Sequence, residues 1–117
     1  MPTARAIFDL VDSQDIHGLA GCLAEDASMV FGNAEPLLGR NAIVAANNAF
    51  FQQIKAVRHH IRNEWTVGDT TVAETEVTYS RFDGKEVTIP AVSIWHLRDG
   101  LIADYRVFYD PAPIFAE

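Results

Sequence analysis

Residues able to move protons recur in the second half of the chain at spacings that suit β-strands. Glu74 and Glu76 stand two apart in VAETEVTY, His59 and His60 are adjacent in VRHHIR, and Tyr105 and Tyr109 are four apart in ADYRVFY. A glutamate in an apolar cavity resists ionisation and becomes a usable acid or base near neutrality, and a second carboxylate on the same face adds to that resistance. An imidazole titrates in the neutral range without help. A tyrosine presents a hydroxyl donor at the end of an apolar body, which suits it to steady a developing oxyanion.

What these groups can do depends on the faces they occupy, and strand alternation sorts them. In 71–81, Ala73, Thr75, Val77 and Tyr79 share one face, and Glu74, Glu76 and Thr78 share the other. The two acids either face solvent or line a cavity enclosed by a curved sheet. In 101–110, Leu101, Ala103, Tyr105, Val107 and Tyr109 share a face that suits a pocket or a dimer interface. Ile102, Asp104, Arg106, Phe108 and Asp110 share the opposite face, where Asp104, Arg106 and Asp110 can form a row of ion pairs. Ile89, Ala91, Ser93 and Trp95 lie together on the neighbouring strand. Pro90 among them donates nothing to a ladder, which implies a bulge or a position facing away from the neighbour. His59 and His60 point to opposite sides, so they do not ligate one metal ion together from one sheet face.

The elements that position these residues are legible in the periodicity. Ala6, Ile7, Leu10 and Val11 have helical spacing. In DSQD, Asp12 is a candidate cap for a second helix with Asp15 in its first turn, and Ile16, Leu19, Ala20 and Leu23 form that helix's apolar stripe. Residues 28–31 suit a short strand. GNAEPLLG is a turn-rich loop. Ile43, Ala46, Phe50 and Ile54 mark a third helix, with Asn41 as its candidate cap. Strands are predicted over 57–66, 71–81, 86–97 and 101–110, joined by tight turns at Gly68-Asp69, Asp83-Gly84 and residues 98–100. Helices followed by an antiparallel meander define an α+β chain with helices laid on one sheet face.

Bulk properties narrow the function classes. The 117 residues are 49% hydrophobic, which fits a single domain over residues 1–117 with a real core. The formal net charge is −7, with 16 acids against 9 bases and no basic run, which argues against a nucleic-acid partner. Cys22 is the one cysteine, so it forms no internal disulfide, and beside Leu23 it reads as a structural thiol. There is no Gly-rich phosphate loop, His-Glu-x-x-His pair or Gly-x-Ser-x-Gly elbow, so no metal and no cofactor is expected. The absence of a leader pattern and of an 18-residue apolar run gives the expectation of a soluble, cytoplasmic protein with no membrane partner.

Three stretches carry a resemblance over nearly the whole chain. AEDASMVFGNAEPLLGRNAI at 24–43, VGDTTVAETEVTYSRFDGKEVTIP at 67–90 and RDGLIADYRVFYDPAPIF at 98–115 resemble SnoaL-like proteins of the nuclear transport factor 2-like superfamily, which includes the ketosteroid isomerases. The resemblance implies a cone: a strongly curved antiparallel sheet wrapped around N-terminal helices, with an apolar internal cavity. It also implies a homodimer. Members include ketosteroid isomerases, polyketide cyclases, limonene epoxide hydrolase and dehydratases. The isomerase aspartate is missing, since Val30 or Phe31 falls at its place. The epoxide hydrolase triad is missing too: Glu74 stands at its arginine position, Glu76 at its first aspartate position, and Val107 at its final aspartate position after the Tyr105-Arg106 match to its Trp-Arg. RFD at 81–83 has the arginine–aspartate spacing but runs into a turn.

The resemblance sets Glu74, Glu76, Tyr105 and Tyr109 on the cavity wall. The expected catalytic candidates are therefore Glu74, His59, His60 and Tyr105, with Glu76, Ile89, Ala91, Val107 and Tyr109 lining the pocket. The expected activity is cofactor-independent acid–base chemistry, as an isomerase, cyclase or dehydratase, on an apolar oxygenated small molecule. The competing expectation is a non-catalytic ligand-binding or interaction domain of the same fold. A buried polar cluster favours the first, and an apolar cavity with both glutamates outside favours the second.

Overall fold

The computed structural model describes residues 3–117. Helix α1, Ala4–Asp12, starts where the Thr3 hydroxyl accepts a hydrogen bond from the Ala6 amide at 3.1 Å. Such a cap contributes about 1 kcal/mol. Ala4, Ile7 and Phe8, at spacings of three and four, are its buried face. The helix ends because Gln14 takes a left-handed conformation, with φ of 57°. Helix α2, Ile16–Cys22, follows at once, and Asp15 is its cap, accepting from the Gly18 amide at 2.9 Å. Asp12 is thus not the cap: it stays as the last residue of α1, free for another task.

Strand β1, Leu23–Phe31, leaves α2 with no loop between them, so it is longer than the predicted 28–31, and Leu23 belongs to it and not to the helix stripe. A two-residue strand, β2 (Leu37–Leu38), pairs with β1. Helix α3, Arg40–Phe51, is capped by Gly39 at φ of 91° and not by Asn41, which is already inside the helix. Ile54 lies past its end yet is fully buried. The meander then runs as β3 (Ala56–Val67), β4 (Thr70–Ser80), β5 (Glu86–Arg98) and β6 (Leu101–Phe108), and a short helix α4 (Ala112–Phe115) follows.

These strands form one curved six-stranded sheet in the order β2-β1-β6-β5-β4-β3. Neighbours run antiparallel except β1 and β6, which are parallel. Pro90 is accommodated without a bulge. It sits opposite Glu76 in an unbroken β4–β5 register, and β6 pairing stops at Val92–Phe108, so no strand needs its missing donor. The bulges lie elsewhere. One is at Arg62, between the Ile61–Thr75 and Asn63–Glu74 pairs. Another is at Ala103, between His96–Asp104 and Leu97–Ile102.

The Ala103 bulge reverses the alternation ahead of it. Ile102, expected opposite the tyrosines, is fully buried, while Leu101 is 37% exposed. Beyond the bulge the expected order holds: Tyr105, Val107 and Tyr109 turn inward, and Arg106 and Phe108 outward. On the outward face Arg106 Nε donates to Asp104 Oδ2 at 3.2 Å. Asp110 is not part of that row; it accepts from the Ala112 amide at 3.0 Å and holds the start of α4.

The inner sheet face and the helices bury two apolar clusters. The first gathers Phe8, Leu23, Met29, Ile43, Trp95 and Ile102, with Cys22 packed against it. The second gathers Ile54, Val57, Val77, Tyr79, Ile89 and Ile114. Burying a side chain such as Phe8 or Ile43 stabilises by roughly 1.5–3 kcal/mol. Arg81 ties α4 to the sheet, donating to the Ile114 and Ala116 carbonyls and to Asp83. Among the described residues, no helix is long and apolar enough to cross a membrane.

Candidate active site

A cavity of about 240 Å³ lies between the two clusters. Its walls are mainly apolar, from residues such as Met29, Phe31, Phe50, Val57 and Val77. Its polar lining is His59, Asn47, Ser93, Tyr79, Tyr105 and Tyr109. A concave, mainly apolar space with a few polar groups on its wall is the usual form of a small-molecule site.

His59 is the best-determined group in it. Its strand neighbour His60 points outward and is exposed, as alternation requires, so of the two histidines only His59 meets the cavity. The carboxylate of Asp12, at the end of α1, grips His59 twice. Oδ1 lies 2.6 Å from the ring Nδ1, and Oδ2 accepts the His59 amide at 3.0 Å. An ionised carboxylate only accepts, so in the neutral ring it is Nδ1 that carries the proton and Nε2 that has the lone pair. Arg5 braces the pair: Nη2 donates to Asp12 Oδ2 at 3.3 Å, Nη1 to the His59 carbonyl at 3.1 Å, and Nε to Asp9 at 2.9 Å. Phe8 stacks on the imidazole with ring centroids 4.2 Å apart and planes 12° from parallel. The ring is therefore fixed on its face, at one nitrogen and at its backbone.

The tyrosines form the second group. Burial pushes the Tyr105 phenol up to about 12, against the opposing pull of Trp95 and Ser93 as hydrogen-bonding neighbours. Burial raises Tyr79 further, with Tyr109, Tyr105 and Asp12 adding to the effect, and burial also raises Tyr109. All three stay protonated at neutral pH and offer donors to the cavity. Phe8 links the two groups, being in edge contact with Trp95 at 5.2 Å, which in turn meets Tyr105 at 5.3 Å.

The two glutamates lie outside. Glu74 accepts from Asn63 Nδ2 at 2.7 Å, and Glu76 pairs with Arg62, all on the outer sheet face. The cause is strand alternation: Thr75, Val77 and Tyr79 take the inner positions of β4, which leaves Glu74 and Glu76 outward. The expectation that they line the pocket is corrected accordingly. Ile89 is also displaced from the lining; it is buried in the second cluster behind the wall, while Ala91, Val107 and Tyr109 face the cavity.

Sequence reasoning missed Asp12 as a partner of His59. One signal was available: a carboxylate in the last turn of a helix opposes the helix dipole, which marks it as a residue held there for another reason. Asn47 was missed as well. It interrupts the Ile43–Asn47–Phe51 stripe of α3, and its amide donates to the Ile43 carbonyl at 2.8 Å. Among the described residues, no group of three or more His, Cys, Asp or Glu side chains is placed to hold a metal ion.

A curved sheet wrapped on N-terminal helices, with a mainly apolar cavity between, defines the nuclear transport factor 2-like class. Within it, residues 4–105 match the SnoaL-like domain, and the chain belongs to that family. No curated protein matches the chain. Solved structures of the same fold include a protein of unknown function from Burkholderia pseudomallei, with TM-score 0.85 and 16% identity over 96% of this chain and 94% of that one. Another is named a SnoaL-like polyketide cyclase from Jannaschia, with TM-score 0.82 and 20% identity over 95% and 88%. An LEH-like epoxide hydrolase from M. tuberculosis has TM-score 0.81 and 14% identity over 95% and 82%. At these identities the likeness is one of fold.

Proposed function

We propose that the chain is a cofactor-independent acid–base catalyst, an isomerase, cyclase or dehydratase acting on an apolar oxygenated small molecule. The observation that carries this reading is His59 on the wall of a mainly apolar cavity, held from behind by Asp12. Glu74 and Glu76 lie outside a mainly apolar cavity, which by itself favours the second expectation, a non-catalytic binder. What supports catalysis is half-buried His59, held by Asp12, together with the tyrosines on the same cavity wall.

In an isomerisation, His59 Nε2 takes a proton from the carbon next to a carbonyl. The C–H electron pair becomes a C=C bond, and the carbonyl π pair moves to oxygen. A tyrosine hydroxyl donates to that oxygen, and the Asp12 carboxylate stabilises the imidazolium. The imidazolium returns the proton to a different carbon, which restores the base. Cyclisation and dehydration begin with the same transfer. A positioned base of this kind contributes roughly 10²–10⁴-fold.

A panel of ketones and enones incubated with the protein in deuterated water, read by mass spectrometry, tests the proposal. The account expects deuterium incorporation into at least one compound, and a loss of about 100-fold or more in His59→Gln. If compounds bind and none exchanges, the second reading holds: a non-catalytic binder, favoured by the predominance of apolar residues on the cavity wall.

We also propose a homodimer. The outer sheet face carries Val30, Val72, Val92, Ile94 and Phe108 in a band across four strands, uncovered by any described helix. Such a band suits a two-fold pairing with a second copy.

A further inference from the structure

Asn47 stands in the middle of α3, between Ile43 and Phe51 in the helix's buried stripe, and is 5% exposed. A leucine would complete that stripe. An amide buried in its place costs stability unless its polar groups are paired. The nitrogen is paired. Nδ2 donates to the Ile43 carbonyl at 2.8 Å and lies 3.7 Å from Met29 Sδ, a weak acceptor. A carbonyl and a thioether only accept, so the amide has one orientation, with nitrogen toward Ile43 and Met29 and Oδ1 as the other prong. That oxygen has no hydrogen-bond partner among the described residues. Nor is it sealed in the core, because Trp95 Nε1 is the one side-chain polar atom among them that is both sealed and unpartnered. Asn47 lines the cavity, so its unpaired oxygen opens onto it.

From this unpaired acceptor we infer that Asn47 determines specificity, its Oδ1 taking the hydrogen of an un-ionised hydroxyl on an otherwise apolar ligand. The inference rests on the reading of the cavity as a small-molecule site and names the group that it selects. An amide oxygen only accepts, and no donor of the described chain is within hydrogen-bond reach of it, so the ligand must bring one. A ketone or ether oxygen brings none. A carboxylate or phosphate would set negative charge against the Asn47 oxygen, with no Arg or Lys side chain on the wall to offset it. An ammonium group would be buried without a counter-charge, because no Asp or Glu side chain lines the cavity. A hydroxyl supplies the donor without a charge. Asn47 is on the β1 side of the cavity, beside Met29, and His59 is on β3, toward the other end of the strand order β2-β1-β6-β5-β4-β3. A hydroxyl held by Asn47 therefore anchors one end of a ligand whose apolar body runs toward His59.

The test uses 2-naphthol, un-ionised at neutral pH, and 2-methylnaphthalene, which carries a methyl group in place of the hydroxyl. Comparing their relative affinity in wild type and in Asn47→Leu isolates the contact, since leucine keeps the bulk of the side chain and removes the acceptor. The preference for 2-naphthol is expected to fall roughly fivefold in Asn47→Leu and to be kept in His59→Gln. The Asn47 side-chain carbonyl carbon, assigned by NMR in the wild type, is expected to move further downfield with 2-naphthol than with 2-methylnaphthalene. That measurement needs no variant, so it decides the matter if Asn47→Leu does not fold. An unchanged preference in Asn47→Leu, an equal response of the carbonyl carbon to the two compounds, loss of the preference in His59→Gln, or no binding of 2-naphthol would overturn the assignment. Neither compound is a ketone, so the result does not depend on catalysis. Ketone exchange in the wild type without a response at Asn47 sinks the subsite and leaves the catalytic proposal standing, and a response at Asn47 without exchange does the reverse.

Discussion

Asp12 Oδ1 lies 2.6 Å from His59 Nδ1, joining the end of the first helix to the first long strand across 47 positions of sequence. The same carboxylate takes the His59 amide, so ring and backbone are held by one group. Asp12→Asn keeps the shape of this contact but loses the charge and the strict acceptor character that select the tautomer. Exchange activity is expected to fall by roughly 100-fold, with little change in circular dichroism. Full activity in this variant would remove Asp12 from the account.

Glu74→Gln is expected to leave ketone binding and exchange unchanged, and to alter stability by less than about 0.5 kcal/mol, because the side chain is outside the cavity and its partner Asn63 is exposed. Chemical denaturation together with the exchange assay checks both halves. A loss of exchange would return the glutamate to the active site.

All three tyrosines of the chain have raised pKa values, so the folded protein is expected to show its phenolate absorbance change displaced above pH 10. The unfolded chain ionises near pH 10 and the folded chain at higher pH. Between pH 10 and 12 the unfolded state therefore binds fewer protons, and stability falls as pH rises. It is fully present below about pH 10. For Tyr105 alone the displacement from 10.0 to about 12 corresponds to roughly 3 kcal/mol lost across that window. Denaturation midpoints measured from pH 8 to 12 should decline steeply in wild type and less in Tyr105→Phe.

Sedimentation at micromolar concentration is expected to give a dimer of the 12.9 kDa chain. Phe108→Asp places a charge in the middle of the outer apolar band and should shift the equilibrium to monomer. A monomer in the wild type would contradict the pairing.

Much of the fold was legible because it rests on local rules. Alternation in 71–81 groups Ala73, Thr75, Val77 and Tyr79 on one face, the face that the structure turns inward, and the turns at Gly68, Gly84 and Gly100 fixed the meander. What failed depended on events that periodicity does not carry. A single extra residue at Ala103 exchanged the faces of Leu101 and Ile102. The parallel pairing of β1 with β6 joins residues more than seventy apart, which no hairpin signal reports. At the site, Glu74 and Glu76 were read as cavity residues through a family match, although their own strand pattern put them opposite Val77 and Tyr79. His59 could be separated from His60 only once the helix carrying Asp12 was packed against β3.

The central claim is that His59 presents an unprotonated Nε2 to the cavity because Asp12 holds the proton at Nδ1. Long-range nitrogen–proton NMR of histidine-labelled protein reads this directly, with His59→Gln assigning one of the four histidine signals. The account predicts the Nδ1–H tautomer for neutral His59, an Nε2 resonance that moves when a ketone of the exchange panel binds, and a mixture of tautomers in Asp12→Asn. An Nε2–H tautomer in the wild type, or an imidazole that does not respond to a bound ketone, would contradict it.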